Sequence, residues 1–247
     1  MAAGNGKGDR AVETITLSGE PEITVYLRRS QRAKRLSLRV GRTDGRVTLS
    51  LPRRASLREA RAFADAQAHW IRKHVAAAPT VARPTIGGTL PVLGELLPIE
   101  AGKTRVARLL PDAILVPDDP AKVGPRVKTL LRTLAQTHLT EACARYSTAL
   151  GREHGKLTFR DTRSRWGSCT SRGDLMFSWR LVMAPWEVLD YVAAHEVAHL
   201  AHMDHSPAFW GQVEALLPRY QPHRAWLKAH GAGLHAWDFT VLDAARD

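Results

Sequence analysis

Two histidines and a glutamate stand close enough in this chain to share one chemical task. His195-Glu196-Val197-Ala198-His199 reads HExxH. On a helix, positions i and i+4 lie on one stripe about 6 Å apart, so two imidazoles can converge on one ion. The glutamate beside the first histidine can then reach a water on that ion and act as base. The bare pattern recurs by chance in about one chain in a hundred of this length. Its surroundings must carry the reading.

They do so through burial. Pro185 suits a first helical turn, and Val188, Leu189, Val192, Ala193, Val197, Leu200 and Ala201 point in nearly every direction around the helix. A helix apolar all round is buried. A buried carboxylate needs a partner, and at its i±3 and i±4 positions Glu196 has only His199 that could pair with it.

A zinc site needs at least a third ligand, and three residues compete for the place. His202 shares the stripe of His195 but lies about 10.5 Å further along a straight helix, too far for one ion bound at about 2.1 Å. Glu214 sits two turns into the next helix. His205 is favoured. Ser206-Pro207 reads as the N-cap and first residue of that helix, so the chain must bend at Met203-Asp204 and can return His205 to the site.

His195, His199 and His205 together give HExxHxxxxxH. With RSRWGSC, WRLVMAPWEVLDYV and MDHSPAFW, the segment from about Leu157 to Trp226 resembles the YgjP-like metal-dependent hydrolases, relatives of the SprT-like and WLM zinc metallopeptidases. The resemblance implies an α+β, minimal zincin-like catalytic domain, with an active-site helix on a small sheet. It also implies one Zn2+ per chain on three histidines, Glu196 as catalytic base, and a peptide or protein substrate. The glycine of the metzincin pattern is replaced by His202, and no methionine follows Met203, so a metzincin Met-turn is absent. Arg165 and Trp166 are expected to border the substrate cleft, where Gly167 permits close backbone approach. Cys169 has no histidine nearby in sequence and reads as an inert thiol. Trp179, Trp186, Trp210 and Trp226 read as packing residues.

The rest of the chain must position this centre. Residues 1–20 read as a disordered tail, and 21–118 as a β-rich, basic N-terminal region preceding the catalytic domain at 119–247. Strand patterns occur at ITVYLRR, RLSLRV and RVTLSLP, with a turn at Thr43-Asp44-Gly45. Ser56 and Glu59 form a capping box before one long helix, and Pro79 to Pro84 connects onward. Val123 to Leu150 has helical spacing, LTFRD is a strand, and a hairpin turns at Ser171-Arg172-Gly173. Helices are expected near 186–203, 207–217 and 222–230.

The 36 basic against 24 acidic residues give a net charge of +12, much of it between Arg28 and Arg61. That field suits a polyanionic partner, nucleic acid or nucleotide, although a solvated basic face is the simpler account. It supports two competitors to peptide cleavage: a nucleotide triphosphate pyrophosphatase, and a nucleic-acid-binding protein with a structural zinc. Structural zinc favours four protein ligands and cysteine, which weighs against the second. No apolar run suggests a signal peptide or membrane span. The chain has 2 cysteines, too few for a disulfide framework, and a cytoplasmic protein is expected.

Overall fold

Alternating apolar and polar residues build the first of two units, which divide between Thr80 and Val81. The computed structural model describes residues 13–41, 45–77 and 81–241. In the first unit, β1 (Thr14–Leu17), β2 (Ile23–Ser30), β3 (Ser37–Val40) and β4 (Val47–Pro52) form a sheet in the order β1-β2-β4-β3. β2 and β4 run parallel, and the other neighbours are antiparallel. Val25, Leu49 and Leu51 form its core with Ala60, Ala64 and Ile71 of α1 (Leu57–Ala66) and α2 (Ala68–Ala76).

Two expectations change here. Thr14–Leu17 is a paired strand burying Ile15 and Leu17, so the tail does not extend to residue 20. Two alternate apolar residues are too short a pattern to announce a strand without its partner. The capping box is present, with Ser56 Oγ accepting from the Glu59 N–H at 3.1 Å and Glu59 Oε2 from the Ser56 N–H at 2.7 Å. The helix it opens breaks at Gln67, whose φ of −101° and ψ of 10° leave the helical region. Residues 1–12, and residues 42–44 and 78–80 of the expected turn and connector, lie outside the described residues.

The second unit opens with β5 (Thr89–Val92), β6 (Glu95–Gly102), β7 (Arg108–Leu109) and β8 (Ile114–Pro117), ordered β5-β6-β8-β7. Leu90, Ile99, Ile114 and Val116 share one core with the helices that follow. The chain therefore does not divide near Asp118. Asp118-Asp119-Pro120 only introduces α3 (Val123–Leu150), which buries Val127, Leu131, Ala135 and Leu139 and ends at Gly151 with φ +70°.

Beyond α3, β9 (Leu157–Arg160), β10 (Gly167–Cys169) and β11 (Leu175–Ser178) form a small sheet ordered β10-β11-β9. β10 and β11 are the expected hairpin, and β9 lies parallel to β11. A 3-10 turn at Trp179–Met183 leads to α4 (Trp186–Ala198), α5 (Pro207–Leu216) and α6 (Gln221–Leu234). α4 packs against α3, α5, α6 and β10. The architecture is α+β, with a buried helix against a small sheet. Among the described residues, no helix is long and apolar enough to cross a membrane.

Candidate metal centre

The helix that carries HExxH ends sooner than its pattern suggests, and that ending assembles the site. After Ala198 the chain tightens: the N–H groups of Leu200 and Ala201 bond three residues back, to Val197 and Ala198, at 2.9 and 3.0 Å. Arg152 holds the turn by donating to the Leu200 carbonyl at 2.5 Å. The bend expected at Met203-Asp204 is present. Asp204 Oδ1 accepts from the Ser206 N–H at 3.2 Å, and Ser206 Oγ caps α5 at the Phe209 N–H, 3.4 Å away. His205 is thereby returned toward α4.

The ligand atoms of His195, His199 and His205 all lie within 4.8 Å of one another, with the Nε2 atoms of His195 and His205 3.2 Å apart. A tetrahedral ion with bonds of about 2.1 Å sets its ligand atoms roughly 3.4 Å apart. Small side-chain rotations would close the cluster on such an ion. His199 Nδ1 donates to the His202 carbonyl at 2.9 Å, because a carbonyl can only accept, and so the lone pair of His199 sits on Nε2. Burial, with the neighbouring His199, His205 and Arg224, lowers His195 to about 3, and burial also lowers His199. The neutral imidazole is the form that ligates a metal. On donor type, spacing and tautomer, the residues fit a divalent ion.

Glu196 is 5% exposed and faces β10. A Cβ at Gly167 would meet its Cγ and Oε1 at 2.5 Å, so only glycine admits the carboxyl at this position. Burial pushes the Glu196 carboxyl up to about 8, against the pull of Arg165. The structure thus brings Arg165 into the electrostatic surroundings of Glu196. Trp166 has a different place: its ring stacks on His235 at 4.5 Å and lies against Gly231 of α6. A large aromatic beside a helical glycine packs closely, so Trp166 anchors this loop to α6. The loop before it is also tied down. The buried Arg180 donates to both oxygens of Asp161 and to the carbonyls of Leu234 and Trp237.

Neither competitor for the third position belongs to the cluster of ligand atoms. His202 contributes its carbonyl, and Glu214 accepts from the Arg219 N–H and Gln221 Nε2, each at 3.1 Å. Cys169 donates to the Thr170 carbonyl, and burial, Glu196 and Asp174 raise its thiol to about 11. It is a poor nucleophile. Sequence reasoning missed the aromatic floor. Phe209, fully buried, lies 5.0, 4.4 and 4.8 Å from the rings of His195, His199 and His205. Trp210 packs on His195 and His205, Tyr191 on His195, and the Arg224 guanidinium covers Trp210 at 4.3 Å. One signal was available: Tyr191 stands four residues before His195 on the same helix stripe.

A metal-dependent hydrolase is the class to which this helix, its three imidazoles and the neighbouring carboxyl belong. Residues 34–230 match the family model described as YgjP-like, metallopeptidase domain, and the chain belongs to that family. Among solved structures it is similar to the metallopeptidase zymogen abylysin of Pyrococcus abyssi, at 22% identity over 36% of this chain and 93% of that one, with a TM-score of 0.33. It is also similar to the metallopeptidase zymogen jannalysin of Methanocaldococcus jannaschii, at 15% identity over 38% and 94%, with a TM-score of 0.33. No curated protein matches the chain.

Proposed function

We propose that the protein is a zinc peptidase in which His195, His199 and His205 hold one ion and Glu196 is the catalytic base. The observation that carries the reading is the convergence of three imidazoles beside a buried carboxyl that faces an edge strand. When bound there, zinc supplies Lewis acidity and a lowered pKa for the attacking water. Glu196 takes that water's proton at a carboxylate oxygen and returns it to the leaving amine. The free edge of β10 receives the extended substrate and holds its backbone by strand pairing. The Arg165 charge favours the ionised form of Glu196. Both cysteines are free thiols, which accords with a reducing, cytoplasmic location.

The test is metal analysis and peptide turnover on wild type and Glu196→Gln. About one zinc per chain in both, with turnover lost in the variant, is the expected result. Turnover surviving in Glu196→Gln would remove the base assignment. A metal-loaded wild type that cleaves a nucleoside triphosphate and no peptide would transfer the site to phosphoanhydride chemistry.

A further inference from the structure

The two faces of the β10-β11-β9 sheet differ in chemistry. Successive strand residues point to opposite faces. On one face Gly167 meets Glu196, and Leu175 and Phe177 are buried in the core. On the other, Thr158, Arg160 and Ser168 line an open groove of about 620 Å³, which Lys156 and Arg165 border. The sole acid lining it among the described residues is Asp174, whose Oδ1 accepts from the backbone N–H of Lys156 at 3.0 Å. Among the described residues, Lys156, Arg160 and Arg165 form no salt bridge. The groove is therefore a hydroxyl-rich, positively charged trough, and Arg165 belongs both to it and to the surroundings of Glu196.

Resting on the peptidase reading, we propose that this groove receives acidic side chains of the substrate, so that the enzyme selects acidic segments of extended peptide. A peptide added to the free edge of β10 lies about 4.8 Å from that strand and sends alternate side chains to opposite faces. Those on the Gly167 side approach the three imidazoles. Those on the Ser168 side point onto the groove face, nearest Ser168 and Arg165, while Lys156 and Arg160 lie beyond β11 on the same groove and act through their longer-range field. Carboxylates placed there gain charge-assisted hydrogen bonds, and the basic trough steers an acidic chain toward the edge before it docks. A peptide is favoured over a phosphodiester because the strand edge offers backbone pairing at the two-residue period of an extended chain. A nucleic acid lacks the repeating amide donors and carbonyl acceptors that match that edge.

The experiment uses the full chain carrying Glu196→Gln, so that binding is read without cleavage. Fluorescence anisotropy is measured with a labelled peptide bearing Glu at alternate positions, and with its Gln counterpart. The Glu peptide is expected to bind about tenfold more tightly. That preference should fall several-fold in Lys156→Glu/Arg160→Glu and by less in Arg160→Gln, which removes a charge without adding one. It should survive in Lys103→Glu/Lys228→Glu, an equal charge change on exposed residues outside the groove. Equal binding of the two peptides would overturn the proposal, as would loss of the preference in the control pair. An oligonucleotide that displaces the Glu peptide and depends on the same two residues would also overturn it, assigning the trough to phosphates. If binding behaves as expected but the wild type cleaves no peptide, the groove assignment stands and the peptidase reading fails.

Discussion

Gly167 and Glu196 share one space: a side-chain carbon on the strand residue would stand 2.5 Å from both Cγ and Oε1 of the carboxyl. That separation is a collision, and neither backbone yields cheaply, because β10 is paired to β11 and α4 is packed against α3, α5 and α6. The Glu196 side chain would have to swing. Misplacing a catalytic group by about 1 Å can cost on the order of 100-fold in rate. We expect Gly167→Ala to lower kcat/KM by at least that factor while zinc content stays near the wild-type value. Loss of metal together with activity would show that the strand supports the ligands rather than the base.

His202 and His205 lie three residues apart, and the structure separates their roles. His205 brings a ring nitrogen to within 3.2 Å of His195, whereas His202 contributes its backbone carbonyl to His199. His202→Ala keeps that carbonyl, so it should retain metal with an affinity close to wild type. His205→Ala should lose most of its zinc in equilibrium dialysis against a chelator. The reverse pattern would make His202 the third ligand.

Local rules carried much of this site and little of its setting. HExxH on a buried helix, the Ser206-Pro207 start of α5 and the Gly151 stop of α3 all act within a few residues, and the spacing alone reveals them. Gly167 beside Glu196, Trp166 stacked on His235, and Arg180 tying Asp161 to the Leu234 and Trp237 carbonyls join residues 29 to 76 positions apart. The widest of these separations is Asp161 to Trp237, and nothing in a linear pattern couples them. The strand at Thr14–Leu17 shows the same limit, since its two buried residues acquire meaning only against β2.

Phe209 is the floor beneath all three imidazoles, within 5.0 Å of each ring. Truncating a fully buried phenylalanine costs about 3–5 kcal/mol through lost burial and the cavity left behind. Phe209→Ala should therefore lower the urea midpoint of the metal-free protein and also weaken zinc binding, because His199 loses the ring stacked on it at 4.4 Å. Phe209→Leu refills most of the volume and should restore stability more fully than metal affinity. Equal zinc affinity in Phe209→Ala and wild type would show that the bend alone orients the histidines.

His235 predicts how stability responds to acid at a histidine outside the cluster. Its ring is 8% exposed, stacks on Trp166, and has a buried Nδ1 with no hydrogen-bond partner. Burial, and then the Arg180 charge, lowers its pKa from 6.5 to about 4, against the opposing pull of Asp161. Between those values the unfolded chain holds a proton that the folded chain refuses, so stability falls as pH drops through this window. Roughly 3 kcal/mol is at stake across the full shift. Asp161 titrates lower still: burial raises it, but its bonds to Arg180 and that charge hold it below its usual 3.8, so its own contribution is lost only in stronger acid. His235→Phe preserves the stack on Trp166 and removes the titration. Urea unfolding of metal-free protein from pH 7 down to 4 should then give a visibly shallower loss of stability in the variant. Parallel curves for the two proteins would mean that His235 takes up its proton in the folded state as readily as in the unfolded one.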